Sequence, residues 1–284
     1  MDAVKTRAPA KLNLTLEVGN KREDGYHLLT SVMAHIALYD ELVLERCQGR
    51  IEFESNAVYL KNDDKNLCVL AAKRFYETAG ISGEGVRIRL KKLIPSNSGM
   101  GGGSTDAAAV IELMERLYGR LDEEKRMSLA LSLGADVPFC MTKSSSLCEG
   151  IGERITPIMQ SQKRLYVVVA KNAQKLSTAR VYSDYDASPT VFGGSHGEVI
   201  RALESGNYLN LKDAMANSFE TNIFKACPEV KALREKMLSL GAFAARMTGA
   251  GPTVFGLFEK RADAMSALDT LRRERILSYF AYIV

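Results

Sequence analysis

The chain has 284 residues, 46% of them hydrophobic and 25% charged, with a formal net charge of +4. This is ordinary globular composition, long enough for a large core in one domain or two lobes, and its mild positive balance suits an anionic small molecule better than nucleic acid, whose binders carry a clustered basic stripe. No apolar run reaches the length of a membrane span or a signal peptide, and five scattered cysteines (Cys47, Cys68, Cys140, Cys148, Cys227) with no CxxC pair favour reduced thiols in a cytoplasmic protein over a disulfide framework or a zinc site.

The first clear element lies over residues 11–18. There Leu12, Leu14, Leu16 and Val18 alternate with Lys11, Asn13, Thr15 and Glu17, the period of a half-buried strand with its polar side in solvent. "REDGYH" reads as a turn, and "ELVLER" and "RIEFES" as two more strands. "NLCVLAAKRFYETAG" is a helix closed by Gly80, and "VRIRLKKLI" is again an alternating strand. After a glycine run, Val110, Ile111, Met114, Leu117 and Tyr118 form the apolar stripe of a helix that stops near Gly119. A further helix spans "DEEKRMSLALSLG", with Asp122 as cap and Gly134 as stop.

"RLYVVVA" is a buried strand, and "STARVYSDYD" is a helix opened by a capping serine. "DASPTVFGGSHGE" is the best candidate for a linker. "PEVKALREKMLSLG" runs from a proline to a glycine, and "RADAMSALDTLRRERI" is an amphipathic helix. "ARMTGAGPTVFGLF" places a glycine turn between two apolar strands. Strands gather toward both ends without regular strand–helix alternation, which predicts an α+β protein in two lobes with a cleft between them.

The run "PSNSGMGGGSTDAAA" opens a helix with bare backbone. Exposed amides at a helix N-terminus attract anions, and glycine lets them approach phosphate oxygens closely. A flexible turn is the plainer alternative for any lone glycine cluster. The chain holds no Gly-Lys dipeptide, so the Walker A scheme is excluded, and Ser104 stands where a Rossmann fingerprint needs its third glycine. Neither His-Arg-Asp nor Asp-Phe-Gly occurs, so the protein-kinase signatures fail as well.

The same stretch, "IPSNSGMGGGSTDAAA", resembles the second motif of the GHMP kinase superfamily, which includes galactokinases and homoserine, mevalonate and phosphomevalonate kinases. "APAKLNLTLEV" resembles its first motif and "MTGAGPTVF" its third. Within the superfamily, "PAKLNL", "DGYH", "GGGSTDAAA" and "LGADVPF", in that order, most resemble the branch acting on 4-diphosphocytidyl-2-C-methyl-D-erythritol. The likeness extends over about residues 7 to 258. The sequence departs from the pattern at Met100 (commonly leucine), Thr105 (commonly serine), and Ala250 and Pro252, where small hydroxyl residues are common.

The resemblance implies a two-lobed α+β fold with its active site in the cleft. Residues 1–160 would form a ribosomal protein S5 domain 2-like N-terminal lobe, and residues 161–284 a ferredoxin-like α/β C-terminal lobe. It implies ATP as phosphoryl donor, with the phosphates held along Pro95, Ser96, Asn97, Ser98, Gly99, Met100, Gly101, Gly102, Gly103, Ser104 and Thr105. The acceptor would be the 2-hydroxyl of the cytidylyl methylerythritol substrate, in the non-mevalonate route to isoprenoid precursors. Magnesium would accompany ATP, with the Thr105 hydroxyl as the protein ligand and Asp136 nearby.

By its position alone, Asp136 reads as a capping or Asx-turn aspartate; by resemblance it is the general base. Lys11, by default a solvent-exposed lysine, would be its catalytic partner, and Asn13 would help place the substrate. Tyr26 and His27 match a cytosine pocket that Tyr182 would close from the other side, and Thr178 would contact the methylerythritol part. His35 and His196 receive no role. The resemblance implies no nucleic-acid or membrane partner, and a monomer or weak homodimer. Two rivals stand beside this reading. A homoserine, mevalonate or sugar kinase would have no use for the Tyr26–His27 pair, and a nucleotide-binding regulator without turnover would need neither Lys11 nor Asp136.

Overall fold

The structure, a computed structural model, describes residues 3–171 and 176–284. Along the chain it runs β1 (Ala3–Asn13), β2 (Glu17–Lys21), β3 (His27–Gln48), β4 (Ile51–Ser55), α1 (Leu67–Ala79), β5 (Glu84–Lys91) and α2 (Gly102–Tyr118). It continues with α3 (Glu123–Leu133), α4 (Val137–Cys140), β6 (Ser146–Gly150), β7 (Arg154–Pro157), β8 (Tyr166–Lys171), α5 (Thr178–Ala187), α6 (His196–Ser205) and α7 (Leu211–Ala214). The remainder is α8 (Glu220–Ala226), α9 (Pro228–Ser239), β9 (Ala244–Met247), β10 (Val254–Phe258), α10 (Arg261–Arg273) and β11 (Leu277–Tyr282). Among the described residues no helix is long and apolar enough to cross a membrane.

These elements group into two compact units. One holds the residues up to Ala10, Tyr39–Ser96 and Gly101–Lys143; the other holds Lys11–Leu38, Asn97–Met100 and the described residues from Ser144 onward. Strands β1 and β3 therefore contribute to both.

In the first unit β4 pairs parallel with β5, and β5 pairs antiparallel with the second half of β3, Glu41 opposite Lys91 and Gln48 opposite Glu84. Helix α1 packs on α2 and α3. Its ends are set locally. The Asn66 side chain accepts a hydrogen bond from the Cys68 amide at 3.0 Å, and Gly80, at φ 65°, turns the chain out of the helix while the Ile81 amide reaches back to the Tyr76 carbonyl at 3.0 Å. Helix α1 buries Ala71, Ala72 and Phe75 completely, and α2 is apolar from Ala107 to Leu113 except at Glu112.

In the second unit β2 and β6 flank the first half of β3, and β7 joins β6. A separate antiparallel sheet has the order β11-β8-β10-β9. Helices cross between β8 and β9 and between β10 and β11, so this is the ferredoxin-like βαββαβ arrangement. Helices α9 and α10 pack on it, and Val168, Val254, Phe258, Leu268 and Met237 meet in one buried cluster with Phe219, Tyr185 and Leu16.

The structure corrects the sequence reading at several points. The expected strand at 11–18 is two strands, broken at Leu14–Leu16, and its polar members do not face water: Lys11, Asn13 and Thr15 are all buried. Strand β3 begins fourteen residues before the "ELVLER" strand expected from the pattern, because it is buried on both sides and shows no alternation. The expected linker 186–198 contains the end of α5 and the first turn of α6, which Ser195 caps through a bond from the Glu198 amide at 3.3 Å. Ser177 precedes α5, but its side chain makes no cap hydrogen bond.

Phe75 of α1 is 0% exposed in the first unit. Replacing it with alanine should cost about 3–5 kcal/mol, the range for emptying a buried aromatic site. Urea denaturation of Phe75→Ala checks this; a loss under about 1 kcal/mol would mean that Phe75 is not packed in the core as described.

Candidate active site

Three polar residues at and just beyond the end of β1, Lys11, Asn13 and Thr15, organise the second unit. The Lys11 amide donates to the Met100 carbonyl at 3.0 Å, which fixes the segment Asn97–Met100 of the glycine run beside the strand. The Lys11 ammonium donates to Asn13 Oδ1 at 2.7 Å. Asn13 Nδ2 donates to Ser31 Oγ at 2.9 Å, and Ser31 Oγ donates to the Thr15 carbonyl at 2.5 Å. Thr15 Oγ1 accepts from the Val32 amide at 2.8 Å. Burying a cation and an amide is costly without partners, and this ladder of bonds to β3 supplies part of what they need. The side of β1 that looked solvent-facing is thus a packed polar surface.

The same asparagine reaches the third glycine motif. Its backbone amide donates to Thr248 Oγ1 at 3.0 Å, and that hydroxyl lies 3.4 Å from both Asn13 Oδ1 and the Gly99 carbonyl. Gly99 has φ 72°, and a Cβ there would sit 2.4 Å from the Thr248 carbonyl oxygen. A Cβ on Gly249, at φ 57°, would sit 3.1 Å from the Gly99 carbonyl oxygen. Two glycine turns from opposite ends of the sequence therefore touch backbone to backbone, with space for hydrogen alone. Asn217, a residue no motif singles out, holds the second turn in place: its Nδ2 donates to the carbonyls of Met247 (3.0 Å) and Gly249 (2.9 Å).

In the first unit the run passes into helix α2. Gly101, at φ 69°, occupies the cap position, and no side chain caps the helix there. The first-turn amides are thus left for a ligand or solvent, the arrangement that binds anions. Thr105 is buried, and among the described residues its Oγ1 has no hydrogen-bond partner. An orphaned hydroxyl in the first turn of an uncapped helix fits the expected phosphate and magnesium chemistry.

Beneath that turn lies a buried charge cluster that sequence reading missed. The Lys92 ammonium donates to the Gly102 carbonyl at 3.0 Å, to Asp106 Oδ2 at 2.6 Å, and to Asp40. Asp40 Oδ1 in turn accepts from the Leu93 and Ile94 amides at 2.5 and 2.8 Å, bracing the chain that leads into the run. Burial works against the Lys92 charge, but attraction to Asp106 and Asp40 outweighs it and holds the ammonium above its ordinary range. Burial and the neighbouring Asp40 push Asp106 well above the usual carboxylate range despite Lys92. Asp136 lies in this unit too, just before α4. Its side chain makes no cap hydrogen bond to that helix, so the plain capping reading fails.

The residues expected around a cytosine base lie in the second unit. His27 and Tyr182 are brought together, ring centroids 5.1 Å apart and tilted by 37°, and Tyr182 stands edge-on to Phe219 at 4.9 Å. Tyr26 is 57% exposed at the β2–β3 turn, and Thr178 is exposed at the start of α5. A further residue holds the imidazole: His27 Nε2 lies 2.6 Å from Asp186 Oδ1, and Lys21 donates to the other oxygen at 2.6 Å. The Lys21 hydrogen bond, then the one to His27, hold Asp186 below the usual carboxylate range. Asp186 closes α5 one turn after Tyr182, a spacing visible in sequence only once His27 is known to lie opposite.

Residues 66–144 match the family model "GHMP kinases N terminal domain", and residues 199–276 match "GHMP kinases C terminal". The L. major mevalonate kinase shares the fold at a TM-score of 0.76, with 19% identity over 99% of this chain and 95% of that one. The helix-borne glycine run and the second glycine turn packed on it are thus set in a GHMP kinase fold. A crystal structure of a 4-(cytidine 5'-diphospho)-2C-methyl-D-erythritol kinase matches at a TM-score of 0.83 and 34% identity, over 99% of each chain. A 4-diphosphocytidyl-2-C-methyl-D-erythritol kinase of Clostridium beijerinckii is 38% identical over 272 residues, 95% of this chain and 96% of that one. The chain belongs to the 4-diphosphocytidyl-2-C-methyl-D-erythritol kinase family.

Lys92→Met should destabilise the protein by about 3–5 kcal/mol near neutral pH, because it leaves buried carboxylates without their cation. Denaturant titration measures this, and a neutral result would show that the cluster is not buried as described. Asp186 has a lowered pKa in the folded state, so its contribution is present above the unfolded value near ~3.9 and is lost as pH falls through the folded value. The stability gap between the wild type and Asp186→Asn should therefore be open at pH 6 and close on acidification below ~3.9, as followed by melting temperature. A gap independent of pH would remove the ionised Asp186–His27 contact.

Proposed function

We propose that the protein is an ATP-dependent kinase that phosphorylates the 2-hydroxyl of 4-diphosphocytidyl-2-C-methyl-D-erythritol, yielding the 2-phosphate and ADP, in the non-mevalonate route to isoprenoid precursors. The observation that carries this reading is the 38% identity, over nearly the whole of both chains, to a relative of that name. The first-turn amides of α2 and the glycine turns are suited to a triphosphate along Pro95–Thr105. The N-terminal lobe, residues 1–160, would present that loop, and the C-terminal lobe, residues 161–284, would supply the third glycine turn.

In this proposal Asp136 accepts the proton of the attacking hydroxyl. The Lys11 ammonium stabilises the charge that develops on the reacting oxygen, and Asn13, bonded to Lys11, keeps that cation in one place. Tyr26 and Tyr182 flank the cytosine, and His27, held by Asp186, offers the base edge one fixed ring orientation. Thr178 meets the methylerythritol part. Thr105 offers a hydroxyl to magnesium, which when bound shields the charge on the β- and γ-phosphates. The protein works in the cytoplasm as a monomer or weak homodimer.

A coupled ADP-release assay across the cytidylyl methylerythritol, mevalonate, homoserine and galactose tests the substrate. Turnover is expected with the first alone, and turnover of another with the first ignored would overturn the reading. Asp136→Asn should lower kcat by roughly 10²–10⁴-fold, the usual worth of a general base, while ATP binding by calorimetry is retained. Unchanged turnover would remove Asp136 from the chemistry.

A further inference from the structure

A charged cavity lies in the second unit, and none of its charged residues takes part in the proposed reaction. It has a volume of about 250 Å³, and its walls include Arg234 from α9, Arg246 from β9, Glu220 from α8, and Asn217, Phe192 and Thr190. Such a volume falls just below the ~300 Å³ at which pockets begin to hold drug-sized ligands, which suits a small metabolite and not a nucleotide.

The two guanidinium groups are held differently. Arg246 donates from Nε to the Met215 carbonyl at 2.7 Å, from Nη1 to the Ala245 carbonyl at 3.1 Å, and from Nη2 to the Lys212 carbonyl at 3.1 Å. Its side chain is only 15% exposed, and the nearest carboxylate oxygen, on Glu220, stands 3.9 Å away. The other Glu220 oxygen is already taken by the Met247 amide at 2.7 Å. Arg234 donates from Nε to the Ala245 carbonyl at 3.1 Å, and among the described residues its Nη groups have no acceptor. The mostly buried Arg246 thus stands beside one mostly buried carboxylate, Arg234 has no carboxylate within ion-pair distance among the described residues, and a fork of N–H donors is left unspent. Burial lowers the proton affinity of Arg246 and raises that of Glu220, as expected where their mutual attraction does not offset desolvation.

We propose that this cavity binds a small oxyanion, the phosphoryl or carboxylate group of a metabolite, on the Nη donors of Arg234 with the Arg246 guanidinium as the second cation. A planar donor fork matches the geometry of either group. The site is not isolated from the glycine turn. Arg246 immediately precedes Met247, whose amide is held by Glu220, and Asn217 holds the carbonyls of Met247 and Gly249. An anion drawing on Arg246 therefore acts on the two residues that fix the turn Gly249–Gly251, which gives the site a regulatory reach.

Inorganic phosphate and malonate serve as probes, in separate arms, at ionic strength held constant with chloride so that screening does not change. Melting temperature is followed with a non-hydrolysable ATP analogue saturating the nucleotide site. One or both probes should raise Tm at millimolar concentration, and the stronger arm identifies phosphoryl or carboxylate as the preferred group. Arg234→Gln should weaken that response at least about tenfold, the loss expected for a charge-assisted hydrogen bond to a bound anion, with kcat unchanged. The Ala245 carbonyl keeps its bond from Arg246 in this variant, so no buried acceptor is orphaned. Arg234→Lys, which keeps the charge but loses the fork, should fall between the two. No response at tens of millimolar, a response that vanishes with the analogue, or equal responses in wild type and Arg234→Gln would each overturn the proposal.

Discussion

Burying the ammonium of Lys11 is the constraint around which the second unit is arranged. An ion taken out of water has to find polar partners, and one of them is the side-chain oxygen of Asn13, two residues along the same strand. That choice propagates. Asn13 is then pinned on its amide side by Ser31 of β3 and on its backbone side by Thr248 of the third glycine motif. One asparagine thereby sets the distance between β1, β3 and the turn after β9. The strand cannot slip by a residue, because a slip would exchange Lys11, Asn13 and Thr15 for leucines and leave every bond of the ladder unmade.

The glycine motifs follow from the same closeness. Once the Lys11 amide holds Met100 and the Asn13 amide holds Thr248, the two turns are driven into contact. Only a residue without Cβ fits at Gly99, both for its positive φ and for the Thr248 carbonyl beside it. On the helix side the constraint is electrostatic. The Gly102 carbonyl is anchored by Lys92, whose charge is balanced by two carboxylates drawn from β3 and α2. The positive end of the helix thus keeps its amides unspent while its carbonyl side is fixed from below.

Much of this was legible where it depends on neighbours in sequence. Asn66 and Gly80 mark the ends of α1, Asp122 and Gly134 those of α3, and the apolar stripes of α9 and α10 have the helical period. The remainder depends on residues far apart. Asp40 pairs with Lys92 across 52 residues and His27 with Asp186 across 159, and no local rule connects either pair. Strand β3 hides because a strand buried on both faces carries Ser31, His35 and Asp40 among its leucines and valines, which erases the period. Lys11 and Asn13 were found as residues of interest, yet alternation put them in water. What alternation cannot distinguish is a polar face that meets solvent from one that meets another polar face.

The net charge of +4 is a poor guide to where anions bind for the same reason. Lys92 is paired with Asp40 and Asp106, Lys21 with Asp186, and Arg87 with Glu52, so a count of cations in the sequence includes many that are already committed to ion pairs. Anion recognition at the glycine run rests instead on backbone amides, which carry no formal charge and cannot be counted at all. At Arg234 the case is reversed: the charge is formal, half-buried, and joined to the chain by one bond from its Nε. The fold has left this cation with donors to spare, and a guanidinium held by its Nε alone still has its fork to offer an oxyanion.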